Sequence, residues 1–133
     1  MRVLLDTNVL VSAILFGGTP RRLMEAASRG ELELVTSPGL LAELERVLLR
    51  KFEFASTVTS SIRGELEALC MVVEVAALPE VVADPADDEV LAAAIGGAQF
   101  VVTGDKELLD VGTHQQVTLV SPARFLEMWQ ERP

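Results

Sequence analysis

Tyrosine is absent from this chain, and cysteine, histidine and tryptophan each occur once among its 133 residues. One cysteine, Cys70, excludes an internal disulfide framework, and with His114 as the only histidine it also excludes a Cys/His zinc cluster. Cys70 follows Leu66 and Leu69 and reads as core filler. Aromatic residues make up 5% of the chain, a poor supply for stacking the bases of a single strand. Trp129 accordingly reads as core or dimer-interface filler. Long apolar runs are missing too. Near the start, Val9 to Phe16 is too short to span a bilayer, and Asp6 and Asn8 interrupt what would be the apolar stretch of a signal peptide. The expectation is a soluble, cytoplasmic protein with no membrane contact.

Half of the residues are hydrophobic and no low-complexity tract occurs, a composition typical of globular α/β proteins. The length suits a single domain, 1–133, that buries roughly two thirds of its unfolded surface. Net charge is −9, unevenly distributed. Residues 1–63 carry eight basic against seven acidic groups, whereas 64–133 carry three against thirteen. Nucleic-acid affinity comes largely from neutralising phosphates with Lys and Arg, so any such contact here has to be local and to use the N-terminal half.

Strand and helix signals alternate with clear punctuation. Val3 to Leu5 reads as a buried parallel strand, followed by a helix from Val9 to Phe16 that Gly17-Gly18 ends. Thr19-Pro20 reads as a cap plus first-turn proline, and Gly30 stops the helix it opens. Leu32 to Thr36 is a second strand; Ser37-Pro38 opens a helix over 39–50, and Ser60 or Ser61 opens another to Leu69. Met71 to Val75 is a candidate third strand. Asp84-Pro85 caps a helix through Ile95 that Gly96-Gly97 ends. Phe100 to Thr103 and Val117 to Val120 are strands, and Ser121-Pro122 starts a last helix with Phe125, Leu126 and Trp129 on one face. This alternation predicts an α/β fold with a mostly parallel central sheet and helices on both faces. In such open sheets ligands bind beyond the carboxyl ends of the strands.

Asp6 and Asp105 fall at two of those ends. Two further acids accompany apolar helix faces. Glu43 lies on the margin of the stripe Leu40, Leu41, Leu44, Val47 and Leu48, and Asp88 precedes Leu91, Ala92 and Ile95 at helical spacing, about 100° from Asp87. Each acid has an ordinary reading: Asp6 as a helix cap, Glu43 as the surface partner of Arg46, Asp88 as a first-turn acid, Asp105 as a turn residue. Four carboxylates at one end of one sheet need a cation, a shared proton or hydrogen-bond donors to offset repulsion and desolvation. A divalent-metal site is the economical reading.

The segments Val3-Leu4-Leu5-Asp6-Thr7-Asn8-Val9, Leu41-Ala42-Glu43-Leu44, Asp84-Pro85-Ala86-Asp87-Asp88-Glu89-Val90-Leu91-Ala92-Ala93-Ala94 and Val101-Val102-Thr103-Gly104-Asp105-Lys106-Glu107-Leu108-Leu109, in this order and spacing, resemble a PIN-domain protein. More narrowly they resemble the toxin component of bacterial and archaeal toxin–antitoxin modules. The resemblance spans essentially the whole chain, down to the closing Ser-Pro-Ala-Arg-Phe-Leu-Glu helix. It implies a PIN-like nuclease domain whose metal-dependent ribonuclease site is built from three or four acids. Carried over motif by motif, these are Asp6, Glu43, Asp88 and Asp105, with Asn8 and Thr103 as supporting polar groups. The third motif offers adjacent Asp87 and Asp88; Asp88 is chosen on motif order and helical phase. The resemblance also implies an RNA substrate, a cognate antitoxin partner and a homodimer.

Phosphodiester hydrolysis by such a site calls for hard oxygen ligands around Mg²⁺ or Mn²⁺, with water as the nucleophile and no protein nucleophile. His114 is therefore not needed as a base. Arg46 and Arg50 share a flank with Glu43 and are candidates to contact RNA phosphates, against the ordinary reading of exposed ion-pair partners; Arg21 and Arg22 carry the same two readings. Two alternatives stay open: a non-catalytic PIN-like module that binds RNA or protein, and a phosphatase using Asp6 as a covalent nucleophile in the manner of the haloacid dehalogenase-like group.

Overall fold

Val3 and Leu5 point into one apolar core and Leu4 into another, as the two-residue period of a strand requires when helices cover both faces of a sheet. The computed structural model describes residues 1–75 and 85–132, with the side chains of 85–87 outside that description. Among the described residues the element order is β1 (Arg2–Leu5), α1 (Thr7–Leu15), α2 (Gly18–Ser28), β2 (Glu33–Thr36), α3 (Pro38–Lys51), α4 (Ser56–Leu69) and β3 (Met71–Val72). Then come α5 (Pro85–Gly97), β4 (Phe100–Val102), α6 (Lys106–Val111), β5 (Thr113–His114), β6 (Val117–Val120) and α7 (Pro122–Gln130). The sheet runs β3-β2-β1-β4-β6-β5, parallel except for the antiparallel edge strand β5.

From β1 the chain builds outward through β2 and β3, then crosses to the other side of β1 to lay down β4 and β6. The order therefore reverses between β1 and β4, and this switch point is where an α/β sheet opens a crevice at its carboxyl edge. One core, beneath α1 to α4 and α7, includes Leu10, Leu23, Leu44, Leu48, Leu66 and Phe125. Phe125 meets Phe100 edge-on, at 5.5 Å between ring centroids. The second core joins Leu4, Val35, Val101 and Leu119 to Leu91 and Ala94 of α5 and Leu108 of α6.

Several boundaries differ from the sequence expectation, each for a local reason. Helix α1 begins at Thr7 because Asp6 caps it directly. Its end is closed by Gly17 and Gly18, both with positive φ, and by the Arg21 guanidinium, which donates to the carbonyls of Ala13 (2.9 Å) and Ile14 (3.0 Å). Arg21 makes no ion pair among the described residues. Gly17, not Thr19, is the cap of α2, and Pro20 is accommodated in the first turn, where its missing N–H has no intrahelical partner to lose. Helix α4 starts at Ser56, ahead of Ser60 and Ser61, without a capping side chain; packing around buried Thr59 outweighs the weak helix propensity of Thr57-Val58-Thr59. Strand β3 is shorter than the expected run to Val75. The expected cap Asp84 lies outside the described residues.

The sequence signals predict neither α6 nor β5. The turn between β5 and β6 consists of Gln115 and Gln116, both with positive φ (47° and 71°), in place of the usual Asn-Gly signal.

Gly96 and Gly97 close α5, which ends at Gly97 as expected, and both also have a packing reason. A Cβ on Gly96 would sit 2.5 Å from Val73 Cγ1, and one on Gly97 would sit 2.4 Å from Met71 Cε. Val73 is β-branched and stiff, whereas Met71 ends in a flexible thioether. Gly96→Ala is therefore expected to cost about 1–3 kcal/mol by overpacking, despite alanine's better helix propensity. Gly97→Ala is expected to cost less, because its severe clash is with the flexible end of Met71, while Val73 Cγ2, at 3.2 Å, has to give by only a few tenths of an ångström. Urea unfolding of the two variants checks this; equal destabilisation would show that packing against residues 71–73 is not what selects glycine.

Candidate acidic site at the sheet switch point

The β1 and β4 ends are stitched together by one hydroxyl. Asp6, which follows β1, is 5% exposed, and its Oδ1 accepts a 2.9 Å hydrogen bond from the Val9 amide. Its backbone N–H donates to the Val102 carbonyl of β4 (3.2 Å). Thr103, fully buried just past β4, donates its hydroxyl proton to Asp6 Oδ2 and accepts from the Asp105 amide at 3.0 Å. Asp105 caps α6 in turn, its Oδ1 accepting from Glu107 N (2.8 Å) and Leu108 N (3.4 Å). The cap reading of Asp6 is thus correct, and Asp105 is a cap rather than a turn residue. Neither role consumes all the acceptor capacity of a carboxylate, which has about four lone-pair positions.

Glu43 enters from α3, half-buried at the margin of its apolar stripe. Among the described residues it makes no ion pair, so the expected pairing with Arg46 does not form. Its charge is felt at Asp6. Burial pushes the Asp6 carboxyl above its ordinary 3.8, the hydrogen bonds from Thr103 and Val9 pull it back in part, and the charges of Asp105 and Glu43 add to the rise.

Asp88 is 8% exposed, in the first turns of α5. Its burial matches expectation but the helical phase behind it does not. Among the described residues, the buried apolar side chains of α5 are Val90, Leu91, Ala93 and Ala94, while Ile95 is 38% exposed and Ala92 only half-buried. Asp88 is thus buried away from the centre of the apolar face, and phase no longer selects it over Asp87, whose side chain lies outside the described residues.

The remaining candidates divide. Asn8 is exposed on α1, and Arg46 and Arg50 are exposed on α3, with no ion pair among the described residues. His114 lies in the edge strand β5. Trp129 packs against the first core with Arg132 over its ring at 4.1 Å. Cys70 is partly buried, its thiol pushed up to about 11 by burial, which keeps it protonated and inert.

The donors assembled here are all carboxylate and hydroxyl oxygens, the set that suits Mg²⁺ or Mn²⁺. Among the described residues no three acidic groups converge closely enough to hold an ion as they stand. The residues nevertheless fit a divalent cation in kind, because a positive charge would relieve the desolvation and like-charge repulsion at Asp6.

A mostly parallel sheet with a buried aspartate at its switch point defines a class of α/β protein. The chain belongs to the PIN-domain family, whose model matches residues 2–107. Among solved structures it is similar to a chain from the crystal structure of VapBC2 from Rickettsia felis bound to a DNA fragment from their promoter. The two share 17% identity with a TM-score of 0.65, over 90% of this chain and 97% of that one. No protein with a curated description matches. Among the described residues no helix is long and apolar enough to cross a membrane.

The pH behaviour of Asp6 follows from its raised pKa. The native state holds the Asp6 proton more tightly than the unfolded chain, so this contribution to stability is fully present below pH 3.8 and is lost as pH rises through the folded value. Thr103→Val is expected to raise that value further and to cost about 1–3 kcal/mol, because it strands Asp6 Oδ2 and the Asp105 amide. Carboxyl NMR titration in metal-free buffer checks the direction. An Asp6 titrating at or below 3.8 in both proteins would show that hydrogen bonding, not burial, dominates.

Proposed function

We propose that the protein is a metal-dependent endoribonuclease and the toxin of a toxin–antitoxin pair, with Asp6, Glu43, Asp88 and Asp105 as ligands, direct or through water, for Mg²⁺ or Mn²⁺. The observation that carries this reading is the desolvated Asp6 carboxylate, tied through Thr103 to Asp105 and repelled by Glu43 at the switch point of a PIN fold. When bound, such ions activate water and stabilise the oxygen that departs from phosphorus.

The chain's own residues set the geometry. Thr103 and the Val9 amide orient Asp6, the start of α6 orients Asp105, and the charge of Glu43 on α3 acts on Asp6; Asp88, buried on α5, is the fourth acid of the proposal. Arg46 and Arg50, exposed and without ion pairs among the described residues, contact backbone phosphates from Glu43's flank of α3. Family membership sets the phosphatase alternative aside. A cognate antitoxin partner is supported by the solved structure of VapBC2, to which the fold is similar. A homodimer is part of the same proposal, with exposed Phe16, Leu49, Phe52 and Val58 as available apolar surface. A cytoplasmic location completes it.

One observation favours a second reading, a non-catalytic PIN-like binding module: the acids of the described residues do not close into an ion cage. Hydrolysis decides. A mixed RNA pool is expected to be cut in Mn²⁺, spared in EDTA and spared by Asp6→Asn, with products bearing 5′-phosphates because water attack displaces the 3′ oxygen. Cutting in EDTA, or 2′,3′-cyclic phosphate ends, would exclude this mechanism. No cutting under any condition would leave the binding-module reading. Asp88→Asn is expected to abolish cleavage and Asp87→Asn to spare it; the reverse result would move the third acid by one residue.

A separate prediction concerns the arginines. Arg46→Ala and Arg50→Ala should each weaken RNA binding at unchanged folding stability, lowering the salt slope by about 0.7 for each phosphate that is no longer neutralised. Filter binding over a salt series reads this, and an unchanged slope would return both to solvated surface.

A further inference from the structure

Gly39 stands in the first turn of α3 with a backbone that does not require glycine, since its φ is not positive. Glycine there weakens a helix relative to alanine, so its presence needs another cause. The cause is Glu89. A Cβ on Gly39 would lie 1.6 Å from Glu89 Oε1 and 2.4 Å from Glu89 Cδ, closer than atoms can approach. The half-buried Glu89 carboxylate therefore rests on the bare backbone of α3. Beside it Ser37 caps α3 by accepting from the Leu40 amide (3.2 Å), and its hydroxyl proton turns to Glu89 Oε1 at 3.5 Å. Helix positions four apart share a face, so Gly39 and Glu43 look the same way, one turn apart. Glu89 itself adjoins Asp88.

We infer that Glu89 is a positioning residue: its carboxylate, seated on Gly39 and Ser37, docks the start of α5 against the start of α3 and thereby sets the spacing between Asp88 and Glu43. The inference rests on the acidic-site reading above. The docking has two halves with different signatures. The hydrogen-bonding half survives when Glu89 becomes glutamine, which keeps the shape and the accepting Oε1. The steric half fails when Gly39 acquires a methyl group, but only while a long side chain occupies position 89.

Calorimetric titration with Mn²⁺ and melting curves test it on wild type, Asp6→Asn, Glu89→Ala, Glu89→Gln, Gly39→Ala and the double variant Gly39→Ala/Glu89→Ala. Wild type should bind Mn²⁺ and Asp6→Asn should not. Glu89→Ala and Gly39→Ala should each weaken binding about tenfold or more, the usual effect of losing a group that orients a ligand. Glu89→Gln should bind nearly as wild type. Gly39→Ala should lower the melting temperature alone yet not lower it further in the Glu89→Ala background. If wild type binds no Mn²⁺, or Asp6→Asn binds it equally, the acidic-site reading falls and the inference with it. If Asp6→Asn alone loses binding, the site stands and the positioning role is wrong. If Glu89→Gln is as weak as Glu89→Ala, charge rather than docking is at work and the inference is overturned; additive drops in melting temperature for Gly39→Ala and Glu89→Ala overturn it equally.

Discussion

A carboxylate taken out of water at the end of a buried strand has to be held by donors, and the hydrogen bonds to Asp6 organise the centre of this fold. Val9 and Thr103 are the donors. The first makes Asp6 the starting point of α1; the second reaches across from the neighbouring strand and ties β1 to β4 where the sheet order reverses. Because the same Thr103 hydroxyl accepts from the Asp105 amide, the chain reversal after β4 and the start of α6 are referred to the same point. One side chain with both donor and acceptor capacity thus aligns two helix starts and two strand ends.

Capping leaves acceptor capacity to spare in this arrangement. An aspartate that caps a helix has its rotamer held by one or two amides, while its remaining lone pairs face outward from the helix start. Asp6 and Asp105 are both oriented in this way. Such orientation would limit the side-chain freedom lost if a cation bound, and burial raises the pKa of Asp6. Glu43 and Asp88 come from helix flanks instead, so their placement depends on how α3 and α5 pack. That dependence gives the Gly39–Glu89 contact its weight.

Much of this was legible in the chain. The alternation of short apolar runs with helix signals determined a mostly parallel sheet, since strands buried on both faces have to be apolar throughout and their crossovers have to be helical. Ser37-Pro38 and Ser121-Pro122 marked helix starts that the structure reproduces, because a cap and a first-turn proline act within four residues. Asp6 and Asp105 could be placed at strand ends for the same local reason. What misled was also local. Thr19-Pro20 suggested a cap that Gly17 supplies, and Ser60 and Ser61 suggested a start that packing moves to Ser56.

By itself, then, the order of residues determined the fold class, the strand ends that carry Asp6 and Asp105, and the restriction of the candidate chemistry to oxygen ligands. Tertiary structure alone decided that Thr103 joins the two aspartates, that Gly96, Gly97 and Gly39 make room for neighbouring side chains, and which face of α5 is buried. The reason is range. Caps, turns and periodicity are written in windows of a few residues, whereas a hydroxyl 97 positions from the carboxylate it meets, or a carboxylate seated on a glycine of another helix, is specified only once the sheet has brought distant segments into contact.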